Sequence, residues 1–480
     1  MRDVEIISSC ADMDMELSSV AIDSRKAGPG SLFVAMTGFE TDGHLYINSA
    51  RENGACAVVC EKKPDTDIPY VQVSSSREAL AKIGANFYRH PEREMTFIGV
   101  TGTNGKTTTT YLLKTLLEQT KNAKVGLIGT NQNMIGDEVV PTERTTPESF
   151  ELYELFRRMA DAGCTHVVME VSSHALCLHR VDGITFAVGI FTNLTEDHLD
   201  FHKTMEEYRK AKERLFLQSE TAVINLDDPS ADIMIENAPC RVYTYSVDRI
   251  EGDLMAKNVT LKQDKVEFQA LTRENLERME LHIPGKFSVY NALGVLAAGL
   301  QLGIPLNEAG AALKNASGVK GRVEVVPTDG DYTILIDYAH TPDALENVLR
   351  TVRGFAKGRV VALFGCGGDR DPIKRPIMGK IAVDMADKVI ITSDNPRTEE
   401  PEAIIADILK GLGKTKTPYD VITDRREAIC HAIDTHRSGD VIVLAGKGHE
   451  TYQIVGKTKY HMDEREIVAE HLLKRAQQAK

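Results

Sequence analysis

The 480-residue chain has no excess of basic charge: 57 Lys and Arg stand against 70 Asp and Glu, a formal net charge of -13. Nucleic-acid binders ordinarily present a basic face, so this balance argues against that class and for a well-solvated acidic surface. It still leaves room for a local basic pocket that takes an anionic small molecule. Long apolar runs are missing too. The longest, Ala292 to Leu306, is interrupted by Gln301 and Pro305 and is too short to span a bilayer. The opening residues, Met1-Arg2-Asp3-Val4-Glu5, carry charge and no apolar stretch, so no secretory signal is visible and a cytoplasmic protein is expected. The eight cysteines are scattered, and no pair has zinc-site spacing with a second pair behind it; they read as reduced thiols. Fixed-period repeats and low-complexity segments are likewise absent.

What is there is α/β patterning over a length that suggests about two to four domains. Short β-branched runs alternate with helical stretches. In a first block, strands are expected over Leu32 to Ala35, Ala57 to Cys60 and Tyr70 to Val73, with a helix over Arg77 to Tyr88. A second block opens on Thr96 to Val100 and continues through Lys124 to Gly129, His166 to Val171, Ala187 to Thr192 and Ala222 to Asn225. These runs are almost continuously apolar, as in parallel strands covered on both faces. Gly318 to Arg322 reads as a linker, and strand–helix alternation resumes at Tyr332 to Asp337, Arg359 to Phe364, Lys388 to Thr392 and Asp440 to Ala445. Ligands of open parallel sheets lie beyond the carboxyl ends of strands, and the polar clusters of this sequence fall there.

Thr101-Gly102-Thr103-Asn104-Gly105-Lys106-Thr107 follows a strand and precedes a helical run, Thr108 to Gln119. Glycines let backbone N–H groups curl around phosphate oxygens, and the helix N-terminus adds positive potential. Lys106 can reach the β- and γ-phosphates of ATP, and the Thr107 hydroxyl can hold Mg²⁺. The strict pattern would place a glycine where Val100 stands; the nearest is Gly99. Glu170 ends another strand and can offer a carboxylate to the same cation. Thr195 to His202 packs Glu196, Asp197, His198, Asp200 and His202 into a short stretch, where phosphate chemistry favours magnesium over zinc. Lys212 lies in a helical run, Glu206 to Leu217, and reads as one of several surface lysines, no different from Lys210.

Together these residues resemble the Mur ligases, the ATP-dependent amide ligases of peptidoglycan precursor synthesis. The motifs that carry the resemblance are TGTNGKTT (Thr101 to Thr108), MEVSSHAL (Met169 to Leu176), TNLTEDHLDFH (Thr192 to His202), YNALGVLAA (Tyr290 to Ala298), GRVEVV (Gly321 to Val326), DYAHTPD (Asp337 to Asp343), GCGGDRDPIKRP (Gly365 to Pro376), TSDNPR (Thr392 to Arg397) and AGKGHE (Ala445 to Glu450). The resemblance implies three domains: a UDP-binding α/β domain over 1–93, a central P-loop ATPase domain with a mostly parallel sheet over 94–321, and a C-terminal Rossmann-like, amino-acid-binding domain over 322–480. It implies a cytoplasmic enzyme of cell-wall growth, and hence of cell shape and division, with a monomer as the expected state. Its substrates would be ATP, UDP-N-acetylmuramoyl-L-alanyl-D-glutamate and an amino acid.

The resemblance also distributes roles. Gly102 to Thr108, Asn291, Arg322, Asp337 and His340 would bind ATP. Ser24 with Phe39, Glu40 and Thr41 would meet the uridine end, and Thr145, Thr146, Ser172 and Arg180 the muramoyl dipeptide. Lys212, ten residues after His202, matches a lysine that the family carbamylates, which turns a cation into a carboxylate-like anion able to bind magnesium with Thr107, Glu170 and His198. Where some relatives carry Gln, this chain has Leu178, so no contact is assigned there.

A carboxylate does not react with an amine in neutral water. Transfer of the γ-phosphoryl group to it makes an acyl phosphate, which the amine then attacks, with Lys106 and magnesium offsetting the charge. Asp394-Asn395-Pro396-Arg397 resembles the signature of ligases that take meso-diaminopimelate, whose distal carboxylate an arginine can grip bidentately. Arg370, Gly446 and Glu450 would complete that site, with Glu450 facing an ammonium. L-lysine as the amino acid, a folylpolyglutamate synthetase-like ligase and a non-catalytic nucleotide switch are the alternatives.

Overall fold

A computed structural model describes every residue except Phe39, Glu40, Glu143, Asp197, His198, Ser317, Ala479 and Lys480. The chain divides into two compact units, Met1–Thr244 and Tyr245–Lys480. All eight cysteines are free thiols, as expected.

The first unit holds two sheets. Five short strands pair in the order Ile6–Ser9, Tyr70–Val73, Ala55–Cys60, Ser31–Val34 and Ser19–Ala21. Only the Ile6–Ser9 edge is antiparallel. The second sheet runs Ser219–Asn225, Phe186–Phe191, Thr96–Thr101, His166–Glu170, Val125–Ile128, all parallel, then Asn133–Ile135 and Glu138–Val140 as an antiparallel hairpin. The central strands are buried along nearly their whole length, which explains their unbroken apolar runs. Helix Lys106–Lys121 covers one face, burying Leu112, Leu113, Leu116 and Leu117 at the 3.6-residue period.

In the second unit, Leu254–Leu261, Val266–Leu271 and Leu276–Leu281 form antiparallel pairs that sequence patterning did not single out. Helix Lys286–Gln301 packs on them, and its almost wholly apolar surface suits a helix buried nearly all round. The unit's main sheet runs Glu324–Val326, Thr333–Asp337, Val441–Ala445, Val360–Phe364, Lys388–Ile391 and Tyr419–Val421. All of its pairings except the first are parallel. Cores on its two faces contain Leu335, Phe364 and Ile391 on one side and Ile336, Leu363 and Ile390 on the other.

Gly318 to Arg322 is not a slack linker. Gly321, at φ 73°, packs so closely that a Cβ there would lie 2.1 Å from the His449 amide nitrogen, and its carbonyl accepts from the Tyr338 N–H at 3.0 Å. Glycine is required by close approach rather than by flexibility.

A buried ion pair braces the carboxyl ends of two strands in the main sheet. Arg425 and Glu464 both have fully buried side chains and meet at 2.9 Å. Arg425 also donates to the carbonyls of Ser393 (3.3 Å) and Ala445 (2.8 Å). Losing one partner of a buried pair leaves the other charge uncompensated, so Arg425→Ala is expected to cost about 3–5 kcal/mol. Urea unfolding of the variant against the parent checks this.

Candidate active site

In the first unit the parallel sheet sets the phosphate loop, the Glu170 end and the Thr192 segment side by side, because their strands are neighbours. Thr101 ends one strand, and helix Lys106–Lys121 begins right after Gly105 at φ 86°, two residues before the expected helical start. Lys106 folds back on its own loop, donating to the carbonyls of Gly102 and Thr103 at 2.9 Å each.

A splint from the neighbouring strand end fixes the loop's shape. Thr103 N–H donates to the Asn193 carbonyl (2.9 Å), Asn104 N–H to Asn193 Oδ1 (2.9 Å), and the Thr192 hydroxyl to the Asn104 carbonyl (2.7 Å). The acid and histidine cluster expected from the sequence begins only at Thr195, and no support of the loop by Thr192 and Asn193 was expected. The polar Thr192-Asn193 pair at a strand's carboxyl end was the available signal. Gly102 sits so close that a Cβ would lie 1.9 Å from Thr192 Oγ1, at φ 149°. Gly102→Ala is therefore expected to strain the loop by about 1–3 kcal/mol, roughly 5- to 150-fold in nucleotide affinity. Calorimetric titration with ADP, alongside a melting curve, measures it.

Glu170 is 1% exposed. The Thr130 N–H donates to its Oε1 at 2.9 Å and the Thr130 hydroxyl to its Oε2 at 3.0 Å. Gly129 makes room, since a Cβ there would lie 2.5 Å from Oε1. Four residues expected to meet the dipeptide gather around this point. The hydroxyls of Thr130 and Thr145 lie 3.0 Å apart, and the Thr146 hydroxyl donates to the Glu170 carbonyl at 2.8 Å. Ser172 N–H donates to Thr146 Oγ1 at 3.2 Å, and Ser172 Oγ caps the next helix through the Ala175 N–H. Arg180 donates to the Thr146 carbonyl at 3.1 Å and pairs with Glu148 at 2.6 Å. Burial pulls the Arg180 guanidinium below its usual pKa, and Glu148 opposes this.

Lys212 corrects the reading of it as a surface lysine. It is 1% exposed, in helix Met205–Glu213, with Nζ 4.4 Å from the centre of the Tyr208 ring. Lys210, two residues earlier, is half exposed and pairs with Glu206 and Glu207. The helix turns one lysine inward and the other to solvent, which spacing alone did not resolve. The Tyr208 hydroxyl lies 3.3 Å from Thr103 Oγ1, so this ring joins Lys212 to the phosphate loop. His202 stacks on the same ring, its centroid 4.8 Å away, and its Nε2 lies 2.9 Å from Ser173 Oγ.

Of the uridine-end candidates, Ser24 is buried in a short 3-10 turn, and its carbonyl accepts from Asn53 Nδ2 at 2.9 Å. Thr41 is exposed, its hydroxyl donating to the Tyr46 oxygen at 3.2 Å. Phe39, Glu40 and His198 lie outside the described residues. No three His, Cys, Asp or Glu side chains converge on a metal position among the described residues. The oxygen donors on hand, the Glu170 carboxylate and the Thr107 hydroxyl, suit a hard cation such as magnesium rather than zinc.

In the second unit, Asn291 lies buried in its apolar helix with a side-chain N–H₂ that has no partner among the described residues. Asp337 ends its strand and accepts from the N–H groups of Val323 (2.8 Å) and Ala339 (2.9 Å). Burial pushes its carboxyl above the usual range, against the pull of Arg322. The Arg322 guanidinium lies over the Tyr338 ring at 5.4 Å, and His340 and His449 pack on the same ring. His340 is exposed and donates from Nδ1 to the Tyr338 carbonyl at 2.8 Å. Burial, with Arg322 nearby, lowers the His449 imidazole and keeps it neutral near pH 7.

The amino-acid candidates do come together. The strand Val360–Phe364 lies between Val441–Ala445 and Lys388–Ile391, so the loops that follow all three emerge side by side. Arg397, at φ 51°, donates from Nη1 to the Gly368 carbonyl at 2.8 Å. Its backbone is clamped by the Tyr452–Val455 strand, Arg397 N–H to the Ile454 carbonyl at 3.1 Å and Gly456 N–H to the Arg397 carbonyl at 2.7 Å. A Cβ on Gly367 would fall 2.8 Å from the Arg397 guanidinium and 3.9 Å from Arg370 Cγ, so a side chain there would shift the guanidinium tip. Arg370 is exposed and donates to the Asp369 carbonyl at 3.2 Å. Pro396 is buried, and its carbonyl lies where a Cβ on Gly368 would clash. Asn395 donates from Nδ2 to Glu450 Oε2 at 2.9 Å. Asp394 Oδ2 is buried with no hydrogen-bond partner among the described residues and faces Gly446, whose added Cβ would lie 2.6 Å away. Neighbouring loops thus supply two carboxylates, Asp394 and Glu450, and the Arg397 guanidinium, groups of the kind that meet a zwitterionic ligand.

Three family models match the chain in order: "Mur ligase family, catalytic domain" over residues 16–88, "Mur ligase middle domain" over 100–299 and "Mur ligase, glutamate ligase domain" over 321–448. Among curated proteins, the chain is 50% identical to the UDP-N-acetylmuramoyl-L-alanyl-D-glutamate--2,6-diaminopimelate ligase of Caldanaerobacter subterraneus, over 96% of this chain and 95% of that one. It is 47% identical to the protein of the same name from Clostridioides difficile, over 99% of each. A solved structure of a UDP-N-acetylmuramoyl-L-alanyl-D-glutamate--2,6-diaminopimelate ligase superposes with a TM-score of 0.73 at 32% identity, covering 97% of this chain and 98% of that one. The Thermotoga maritima MurF ligase in complex with ADP shares the fold, with a TM-score of 0.61 at 21% identity over 97% of this chain and 100% of that one.

Proposed function

The chain belongs to the Mur ligase family, and from that membership and the amino-acid cluster at Arg397 we infer that it joins 2,6-diaminopimelate to UDP-N-acetylmuramoyl-L-alanyl-D-glutamate. It is an ATP-dependent ligase of peptidoglycan precursor synthesis. The observation that carries the choice of amino acid is Arg397, held in one orientation by its backbone clamp and by Gly368, beside Glu450-bound Asn395.

ATP transfers its γ-phosphoryl group to the D-glutamate side-chain carboxylate, giving an acyl phosphate and ADP. The amine of diaminopimelate attacks the acyl carbon, the tetrahedral intermediate collapses, phosphate departs and an amide remains. The phosphate loop, Gly102 to Thr108, holds the triphosphate, and Lys106 leaves its loop carbonyls to meet the charge on the transferring group. Asn291, Arg322, Asp337 and His340 are assigned to the nucleotide, Asn291 on the strength of its orphaned buried amide. Thr145, Thr146, Ser172 and Arg180 hold the dipeptide beside Glu170; Ser24, with Phe39 to Thr41, takes the uridine end. Thr107, Glu170, His198 and a carbamylated Lys212 would hold magnesium, which would supply charge neutralisation for the phosphoryl group. Arg397, with Arg370, grips the distal carboxylate of the meso isomer, and Asp394, Gly446 and Glu450 receive its ammonium end.

We assign 1–93 to the uridine end, 94–321 to ATP and 322–480 to the amino acid. No helix among the described residues is long and apolar enough to cross a membrane; the ATP requirement leads us to place the enzyme in the cytoplasm. The test is ADP release, which should need the UDP-linked dipeptide and diaminopimelate together. A folate replacing the dipeptide should give none, and turnover with the folate would overturn the reading.

A further inference from the structure

Lysine is almost never fully buried unless its charge is compensated, and desolvating an ammonium is costly. Lys447 has a side-chain exposure of 0%. It sits between Gly446 at φ 115° and Gly448 at φ 52°, in the loop after strand Val441–Ala445. Its Nζ donates to Asn395 Oδ1 and to Glu450 Oε2, both at 2.7 Å, and lies 5.3 Å from the centre of the Tyr452 ring. An ammonium can only donate, so this contact fixes which end of the Asn395 amide is oxygen. That oxygen also accepts from the Ile454 N–H at 2.9 Å, and Nδ2 is thereby turned toward Glu450 Oε2 at 2.9 Å. Two donors thus converge on one oxygen of Glu450. Among the described residues, no hydrogen bond reaches the other, Oε1.

We propose that Lys447 is a positioning residue of the amino-acid site: by pinning Glu450 Oε2 and orienting Asn395, it holds Glu450 so that Oε1 is presented to an ammonium of the incoming diamino acid. The geometry explains why a costly buried cation stands where an apolar side chain would pack more cheaply. It also explains how Glu450, already paired within the protein, still serves a ligand: the internal bonds occupy one oxygen and leave the other. This rests on the reading of Glu450 as a contact to diaminopimelate.

The test is Lys447→Met, similar in length and uncharged, with steady-state kinetics for each substrate in turn. A charged hydrogen bond lost from the support of Glu450 should raise KM for diaminopimelate about 10- to 100-fold. The KM values for ATP and the UDP-linked dipeptide should stay within about 2-fold, which a general structural defect would not spare. In a Glu450→Gln background, Lys447→Met should add less than about 2-fold to that KM, since both changes act through one carboxylate. Independent, multiplying effects, or a parallel rise in all three KM values, would overturn the proposal. Should Lys447→Met fail to fold, Lys447→Gln keeps an N–H donor and carries the same test, with a smaller rise in the same single KM. If the parent enzyme makes no ADP with diaminopimelate, the functional reading fails instead, and the two failures are told apart.

Discussion

Arg397→Ala should lower kcat/KM for diaminopimelate by about 30- to 1,000-fold, or roughly 2–4 kcal/mol, while leaving ADP affinity unchanged. The size follows from what the side chain does in the structure. One guanidinium nitrogen is spent on the Gly368 carbonyl, which sets the plane of the group. A guanidinium has five N–H donors in a rigid fork, so the rest remain for a carboxylate. The bond to the Gly368 carbonyl already restrains the side chain, so less rotamer entropy is lost when the ligand binds. Alanine removes the fork and leaves the ligand's distal carboxylate to Arg370 alone. Arg397→Lys should recover only part of the loss, because an ammonium cannot reproduce the planar, two-pronged contact. Unchanged kcat/KM in the alanine variant would remove Arg397 from the amino-acid site.

Lys106→Ala should reduce kcat by about 100- to 1,000-fold, with a smaller change in the affinity for ADP. In the structure Lys106 rests on the carbonyls of Gly102 and Thr103, both in its own loop. Those neutral contacts are exchanged for a phosphoryl group whose charge spreads over its oxygens during transfer, so the lysine matters most in the transition state. Thr192 and Asn193 also hold the loop, independently of Lys106, so its shape should survive the substitution. Single-turnover ADP formation separates this chemical defect from slow product release. A loss confined to the KM for ATP, with kcat intact, would contradict the assignment.

The parallel strands were legible because burial on both faces writes an unbroken apolar run into the sequence. His166–Glu170 and Val360–Phe364 lie within a residue of their expected ranges at each end. The loops beyond their carboxyl ends were legible for the same reason, and the neighbouring order of Val441–Ala445, Val360–Phe364 and Lys388–Ile391 brings them together. The hairpins of Leu254–Leu281 were not read, because these strands are only partly buried and polar residues such as Lys257, Glu267 and Glu277 interrupt the apolar run. The edge strands Ile6–Ser9 and Ser19–Ala21 are four and three residues long, which leaves too little pattern. Lys212 was misplaced on the surface because Ala211 and Tyr208, which share its buried side of the helix, sit among charged neighbours. Arg425 and Glu464 could not be paired from sequence at all: two charged residues nearly forty positions apart carry no mark of being buried together.

The central claim is that this ligase adds diaminopimelate, and the most direct measurement is the mass of its product. Purified enzyme with ATP, magnesium and the UDP-linked dipeptide should convert the dipeptide to a product heavier by one diaminopimelate residue. With L-lysine in its place, which lacks the distal carboxylate that Arg397 holds, the dipeptide should remain almost unconverted. A lysine-containing product formed at a comparable rate would contradict the account.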